Sequence, residues 1–385
     1  MQQALDLAQK GRYSTRPNPA VGCVLVKENE VVGTGWHQRS GEPHAERHAL
    51  AQAQQSAQGA TAYVTLEPCS HFGRTAPCAD GLIEGGVKKV YVAMLDPNPL
   101  VSGQGVQRLE QAGIEVITGL LGAEAEALNR GFVRRMEQGL PYVVLKMASS
   151  LDGRTALSNG ESQWITDGES RLEVHKLRAA SGAIITGIGT VLADDPSLTV
   201  RLPPADLAQM NLDGENFPPP LRVVLDSSLK IPLKAKLFTE HGRILVVTSQ
   251  ETYQQKSDQV KALSAQDQVT VLAAPSQAEQ GGGVNLQYVL QYLAQKESVN
   301  SVMVEAGATL AGAFISENRV DELHTFMAPC LLGDQARPMF ILPNIQRMAD
   351  KVPLHIVSVE QLGEDVKIVL KRQKNESESE SKGER

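Results

Sequence analysis

Cysteine is scarce in this chain: four residues in 385, Cys23, Cys69, Cys78 and Cys330. So few thiols in so long a chain exclude a disulfide framework, and reduced thiols suit a cytoplasmic address. A run of about 20 apolar residues is missing, so no membrane-spanning helix is expected. Residues 1–10 also lack the basic patch and long apolar stretch of a secretory signal, so no export is expected. A basic excess is absent too. The formal net charge of −7 and pI near 5.7 argue against sequence-independent nucleic-acid binding, which needs a cationic surface to displace counterions. A small anionic partner stays compatible, since a few local arginines suffice. There are no internal repeats. What is present is 42% apolar and 21% charged composition, enough for two ordinary domains that each bury a core. Cys23 and Cys330 sit in apolar runs and read as small core residues.

Chemistry concentrates between Glu42 and Cys78. His44, Cys69 and Cys78 supply one imidazole and two thiolates, which would hold Zn²⁺ and leave a tetrahedral position open for water. Glu46 is the spare carboxylate, placed to move a proton. A His-Ala-Glu tripeptide alone is usually a solvated helix start; two Pro-Cys pairs beside it change that reading. Eight residues separate the cysteines instead of the two of the common short deaminase pattern. His71 offers an alternative fourth ligand, which would make the zinc structural.

Taken in order, residues 3–9 read as a helix ended by Lys10 and Gly11, and Arg16, Pro17, Asn18 and Pro19 as a stiff turn. Residues 20–26 and 30–35 form a hairpin whose far end delivers His37. A helix at 45–57 buries Ala45, Ala49, Leu50 and Ala53. Strands at 62–66, 89–94 and 114–117 alternate with helices at 79–86 and 106–112, which means a sheet covered on both faces. An amphipathic segment follows at 124–136. The first domain spans residues 1–138.

The pattern restarts at Tyr142, giving a second domain at 141–370. Strands are expected at 143–148, 183–186, 221–226, 244–248, 269–273, 301–305, 322–327, 355–359 and 366–370, with helices at 169–179 and 287–295. Residues 202–220 form a polar, proline-rich excursion. The charged, serine-rich tail at 371–385 is expected to be disordered. Gly187, Ile188, Gly189 and Thr190 begin like a dinucleotide fingerprint but lack its third small residue, which favours an ordinary turn and argues against a Rossmann fold. Gly307, Ala308, Thr309 and Leu310 fit a pyrophosphate cradle at a helix start, or equally tight helix-to-sheet packing.

The run Glu67, Pro68, Cys69, Ser70, His71, Phe72, Gly73, Arg74, Thr75, Ala76, Pro77, Cys78 resembles a segment of the bifunctional riboflavin-biosynthesis deaminase/reductases, with Ala76 where the family has proline. Four further stretches resemble that family's reductase half: Ser149 to Thr155, Gly160 to Thr166, Thr190 to Arg201, and Val304 to Gly307. The resemblance covers residues 4–370. It implies an α/β chain, with a cytidine-deaminase-like three-layer domain followed by a dihydrofolate-reductase-like α/β domain. It implies one zinc per chain on His44, Cys69 and Cys78, with Glu46 catalytic. It further implies NADPH at Ala148, Trp164, Thr190, Asp194, Ser227, Gly307, Ala308, Thr309 and Leu310. Substrate would meet Ser162, Arg178, Leu198, Arg201 and Glu305, with Asn18 and Asp96 as lesser contacts in the first domain.

Arg178 and Arg201 have the planar fork that grips phosphate. Trp164 reads as a flat stacking face or as a core aromatic. The implied activity is hydrolytic deamination of a phosphoribosylated diaminopyrimidinone, then NADPH-dependent reduction of the ribosyl group of the aminouracil product to ribityl, in a homodimer or larger assembly. Two alternatives are a nucleoside or tRNA base deaminase, which leaves the second half idle, and a structural zinc domain joined to a degenerate nucleotide-binding module.

Overall fold

Short β-branched runs punctuated by alanine-rich stretches build two separate sheets. The computed structural model describes residues 1–70, 77–99, 101–212, 217–276 and 283–373. His71, the alternative fourth ligand, and most of the expected tail lie outside the described residues. Contact clustering yields two units. One comprises Met1–Pro141, Pro203–Pro218 and Leu293–Asn300; the other comprises Tyr142–Leu202, Pro219–Tyr292 and Ser301–Arg385.

The first unit runs α1 (Gln2–Gln9), β1 (Gly22–Lys27), β2 (Glu30–Trp36), α2 (Ala45–Ala53), β3 (Thr61–Val64), α3 (Cys78–Glu84), β4 (Lys89–Val92), α4 (Gln104–Gln111), β5 (Glu115–Thr118), α5 (Gly122–Leu128) and α6 (Arg130–Gln138). Its sheet has the order β2-β1-β3-β4-β5. β1 is antiparallel to β2 and β3, whereas β3, β4 and β5 are parallel. Glycines set two of the helix contacts. A Cβ on Gly22 would lie 2.0 Å from the Ala4 carbonyl oxygen of α1, and one on Gly35 would lie 2.1 Å from the Ala45 carbonyl oxygen of α2. Gly22 pairs with Trp36, the neighbour of Gly35, so α1 and α2 cover opposite faces. That makes three layers. Cys23, Leu25, Ala49, Ala62, Val64, Leu82 and Val90 fill the core.

The other stretches add β6 (Tyr142–Ser150), β7 (Arg154–Ala156), α7 (Gly168–Ala180), β8 (Ala183–Gly187), α8 (Ile188–Asp194), α9 (Pro204–Gln209), β9 (Leu221–Leu225), β10 (Ile244–Ser249), α10 (Gln250–Gln255), α11 (Ser257–Ser264), β11 (Val269–Ala274), α12 (Leu286–Gln295), β12 (Ser301–Glu305), α13 (Ala308–Ser316), β13 (Glu322–Ala328), β14 (Arg337–Pro338), β15 (Leu354–Leu362) and β16 (Asp365–Arg372). The large sheet has the order β11-β10-β9-β8-β12-β6-β13-β16-β15. It is parallel from β11 to β13, and β16 and β15 follow antiparallel. At its edge β15 exposes Ile356, Val357 and Val359 by 61%, 49% and 59%.

Several elements depart from the expected pattern. The helix at 45–57 ends at Ala53 because Gln54 takes φ +48°, and a 3₁₀ turn continues to Ala57. The amphipathic segment is two helices, broken at Asn129, whose buried amide bonds both the N–H and the carbonyl of Ala20. The supposed turn after Gly187 starts α8, and the proline-rich excursion contains α9, with Pro204 at its first turn. Helices α10 and α11, of six and eight residues, are too short for a helical period to show.

Candidate active sites

α2 begins where the chain leaves the hairpin, with His44 as its N-cap residue and Glu46 in its first turn. Cys69 follows β3, and Cys78 opens α3. Folding brings these residues together. His44 Nδ1 lies 3.3 Å from Cys78 Sγ and 3.7 Å from Cys69 Sγ, and the Cys78 N–H donates to Cys69 Sγ at 3.3 Å. Bonds of about 2.0 to 2.3 Å to one tetrahedral zinc require donor separations of about 3.5 to 3.8 Å. The two imidazole-to-thiol separations lie close to that range, and all three donor atoms lie within 4.8 Å of one another.

Electrostatics agree with a dication. The hydrogen bond between the thiols lowers Cys69 to about 4 and raises Cys78, while burial followed by the Cys69 charge lifts Glu46 to about 7. Three acidic groups this close cannot all ionise without a cation. Glu46 is 3% exposed, and its buried Oε2 has no hydrogen-bond partner, as a proton carrier facing a reactant requires.

His37, which the sequence placed nearby without a role, is 2% exposed and packs edge-on to the His44 ring at 5.2 Å. Its Nδ1 lies 3.2 Å from the Pro43 carbonyl and its Nε2 lies 3.1 Å from the Asn18 amide nitrogen. This pattern fits a neutral ring donating through Nδ1, and burial lowers its pKa. Asp96 follows β4, the parallel neighbour of β3.

In the second unit, the expected cofactor residues gather at the C-terminal ends of adjacent strands. Ala148 is on β6, Gly307 to Leu310 begin α13 after β12, Thr190 and Asp194 lie on α8 after β8, and Ser227 follows β9. Ligands of parallel sheets collect at such edges. Gly307 is the N-cap of α13 with φ −72°, and a Cβ there would meet nothing within 4 Å. Its backbone does not need glycine; the space before it is open, as a cradle for a pyrophosphate requires. Trp164 is 71% exposed and lies 4.7 Å from the Arg171 guanidinium carbon, so it is not a core aromatic. Ser162 lies two residues away on the same loop.

Two expected substrate contacts are differently engaged. Arg178 spends its fork on Glu305, at 2.6 and 2.8 Å, and donates to the Thr199 carbonyl at 2.9 Å. Leu198 is 3% exposed with φ +53°, leaving only its main chain to a ligand. Arg201 is exposed and its N–H donates to His175 Nδ1 at 3.1 Å. Lys146, passed over in the sequence, pairs in register with Glu305 across β6 and β12. Burial lowers its pKa against the pull of Glu305. A lone lysine inside an apolar strand was its visible signal.

Comparison with known proteins decides the family. Residues 1–94 match the cytidine and deoxycytidylate deaminase zinc-binding region, and residues 141–368 match the RibD C-terminal domain. The riboflavin biosynthesis protein RibD of Escherichia coli K12 is 47% identical over 95% of this chain and 96% of its own. The chain belongs to the RibD family. Among solved structures, Acinetobacter baumannii RibD superposes with a TM-score of 0.87 at 45% identity, over 97% of this chain and 98% of that one. A Thermotoga maritima diaminohydroxyphosphoribosylaminopyrimidine deaminase/5-amino-6-(5-phosphoribosylamino)uracil reductase gives 0.80 at 31% identity, over 97% of each chain. As a RibD-family member the chain is a bifunctional riboflavin-biosynthesis enzyme, a zinc-dependent hydrolase and an NADPH-dependent oxidoreductase. Its fold is a cytidine-deaminase-like domain joined to a dihydrofolate-reductase-like one. Among the described residues, no helix is long and apolar enough to cross a membrane.

Proposed function

We propose that His44, Cys69 and Cys78 hold the zinc and that Glu46 moves protons for hydrolytic deamination of the phosphoribosylated diaminopyrimidinone. The observation that carries this reading is the bare, buried Glu46 Oε2 beside three donor atoms that lie within 4.8 Å of one another. Bound zinc supplies a Lewis acid that brings a water's pKa to about 7. Glu46 accepts a proton at its carboxylate and returns it to the departing amino group, so ammonia leaves neutral. His37, fixed between Pro43 and Asn18, orders the wall of the pocket, and Asn18 and Asp96 meet the pyrimidine.

In the reductase half, Ala148, Trp164, Thr190, Asp194, Ser227 and Gly307 to Leu310 receive NADPH, which supplies a hydride to the anomeric carbon of the opened sugar. Ser162, Leu198, Arg201, Arg178 and Glu305 receive the aminouracil, the last two as a bonded pair. Lys146, which pairs in register with Glu305, would give the proton that opening needs. Exposed apolar side chains on β15 support a homodimer or larger assembly, because an uncovered edge strand invites a further strand. Zinc-holding thiolates at Cys69 and Cys78, which must stay reduced, support a cytoplasmic location.

Mass spectrometry of products tests the pair of activities. Without NADPH, the diaminopyrimidinone should exchange one amino group for oxygen with release of ammonia; with NADPH, the product should gain two further hydrogens. Reduction without the cofactor, or no ammonia, would contradict the proposal.

The cofactor and substrate sides are separable. Gly307→Val fills open space, so it should weaken NADPH binding and spare deamination. Arg201→Ala should raise the reductase KM through loss of about 1.5 to 3 kcal/mol of charge-assisted contact, with NADPH affinity little changed. Fluorescence titration with NADPH checks both, and the opposite pattern would reverse the two sides.

A further inference from the structure

Glu67 lies two residues before Cys69 and is 5% exposed, yet no role in the chemistry falls to it. Its carboxylate is fully spent on backbone. Oε2 accepts from the N–H groups of Asp96 at 3.0 Å and Gly103 at 2.9 Å, while Oε1 accepts from Gly105 at 2.8 Å and Val106 at 3.2 Å. Its own N–H donates to the Met94 carbonyl at 3.0 Å. One anionic side chain thus ties the segment after β3, which carries Cys69, to the segment after β4, which carries Asp96 and Asn98, and to the first turn of α4. The Asp96 side chain in turn accepts from the Asn98 N–H at 2.9 Å, closing the turn on itself. Gly105 is part of the fit, since a Cβ there would lie 2.0 Å from the Pro68 carbonyl oxygen and 3.2 Å from Glu67 Oε1.

We infer that Glu67 is a positioning residue that sets the distance between the metal-holding cysteine and the turn that carries Asp96, the pyrimidine contact proposed above. This rests on the deaminase reading above. Capping α4 alone would need only Gly105 and Val106; the bonds to Asp96 and Met94 reach the segment after β4. Glutamine cannot reproduce the clamp. Its single oxygen serves one pair of donors, and its NH₂ faces the other pair of N–H groups with nothing to accept them.

The test is Glu67→Gln in the full chain, with zinc content, deaminase kinetics and reductase turnover on the aminouracil measured together. The expected result is a deaminase KM raised about tenfold or more, with kcat within about threefold of the parent. Zinc should remain at one per chain and reductase turnover unchanged, which also reports folding. Gly105→Ala presses on the Pro68 carbonyl and on the Glu67 side chain without removing its charge, and should reproduce the KM rise. An unchanged KM in both variants overturns the inference. So does loss of kcat together with zinc, which would make Glu67 a support of the metal alone. Turnover of the parent enzyme, measured alongside, reports separately on the deaminase reading.

Discussion

Glu46→Gln should retain one zinc per chain while deamination falls by about 10² to 10⁴-fold, the usual cost of removing a general acid–base group. Glutamine keeps the volume and an oxygen but cannot carry a proton at neutral pH. The fold has little reason to object: Glu46 Oε2 has no hydrogen-bond partner, and its ionised form is disfavoured by burial. Metal analysis and ammonia release on the same sample separate the two effects. Near-normal turnover by Glu46→Gln would remove Glu46 from the chemistry, and loss of zinc would make it a ligand.

Lys146→Met should abolish most reduction, by about 10² to 10⁴-fold, and leave deamination and NADPH binding intact. Methionine matches the length of the stem and carries no charge. Arg178 keeps Glu305 paired in the variant, so Glu305 is not left without a counter-charge. Single-turnover oxidation of NADPH by the preformed aminouracil, followed by absorbance, reads the step directly. A variant that binds NADPH and reduces at the parent rate would send the search for the proton donor elsewhere, with His175 next in line through its bond from the Arg201 N–H.

The clustering of His44, Cys69 and Cys78 was legible because such residues in such a pattern are rare. A helix start with His44 and Glu46 and two Pro-Cys pairs leave few ways to fold that do not bring the thiols to the imidazole. The residues proposed for the reductase were harder to read, because they lie on separate strand ends that only the sheet order joins. Ala148 and Ser227 carry no chemical signature at all. Arg178 shows the limit of reasoning by residue type: its fork suits a phosphate, yet Glu305 lies within reach after folding and takes it. Lys146 could have been found from its lone charge in an apolar strand, but choosing between a solvent-facing and an inward lysine needs the register with β12. Helices α8 to α11 went unread because short elements carry too few turns for a period to show.

Gly33 and Gly35 stand on β2, where a Cβ would lie 2.3 Å and 2.1 Å from carbonyl oxygens of Ala49 and Ala45 on α2. The nearest atoms are main-chain ones, so strand and helix backbones serve as each other's gauge block. The first turn of α2 carries His44 and Glu46, and its height above the sheet is therefore machined into a hairpin about ten residues upstream. Adding even one methyl at Gly35 would lift the turn as a whole, and with it the imidazole and the carboxylate together, away from thiols that arrive on other segments. Residues with no side chain of their own thus hold the alignment of the proposed site, and the hairpin is as much a part of it as the groups that would touch the substrate.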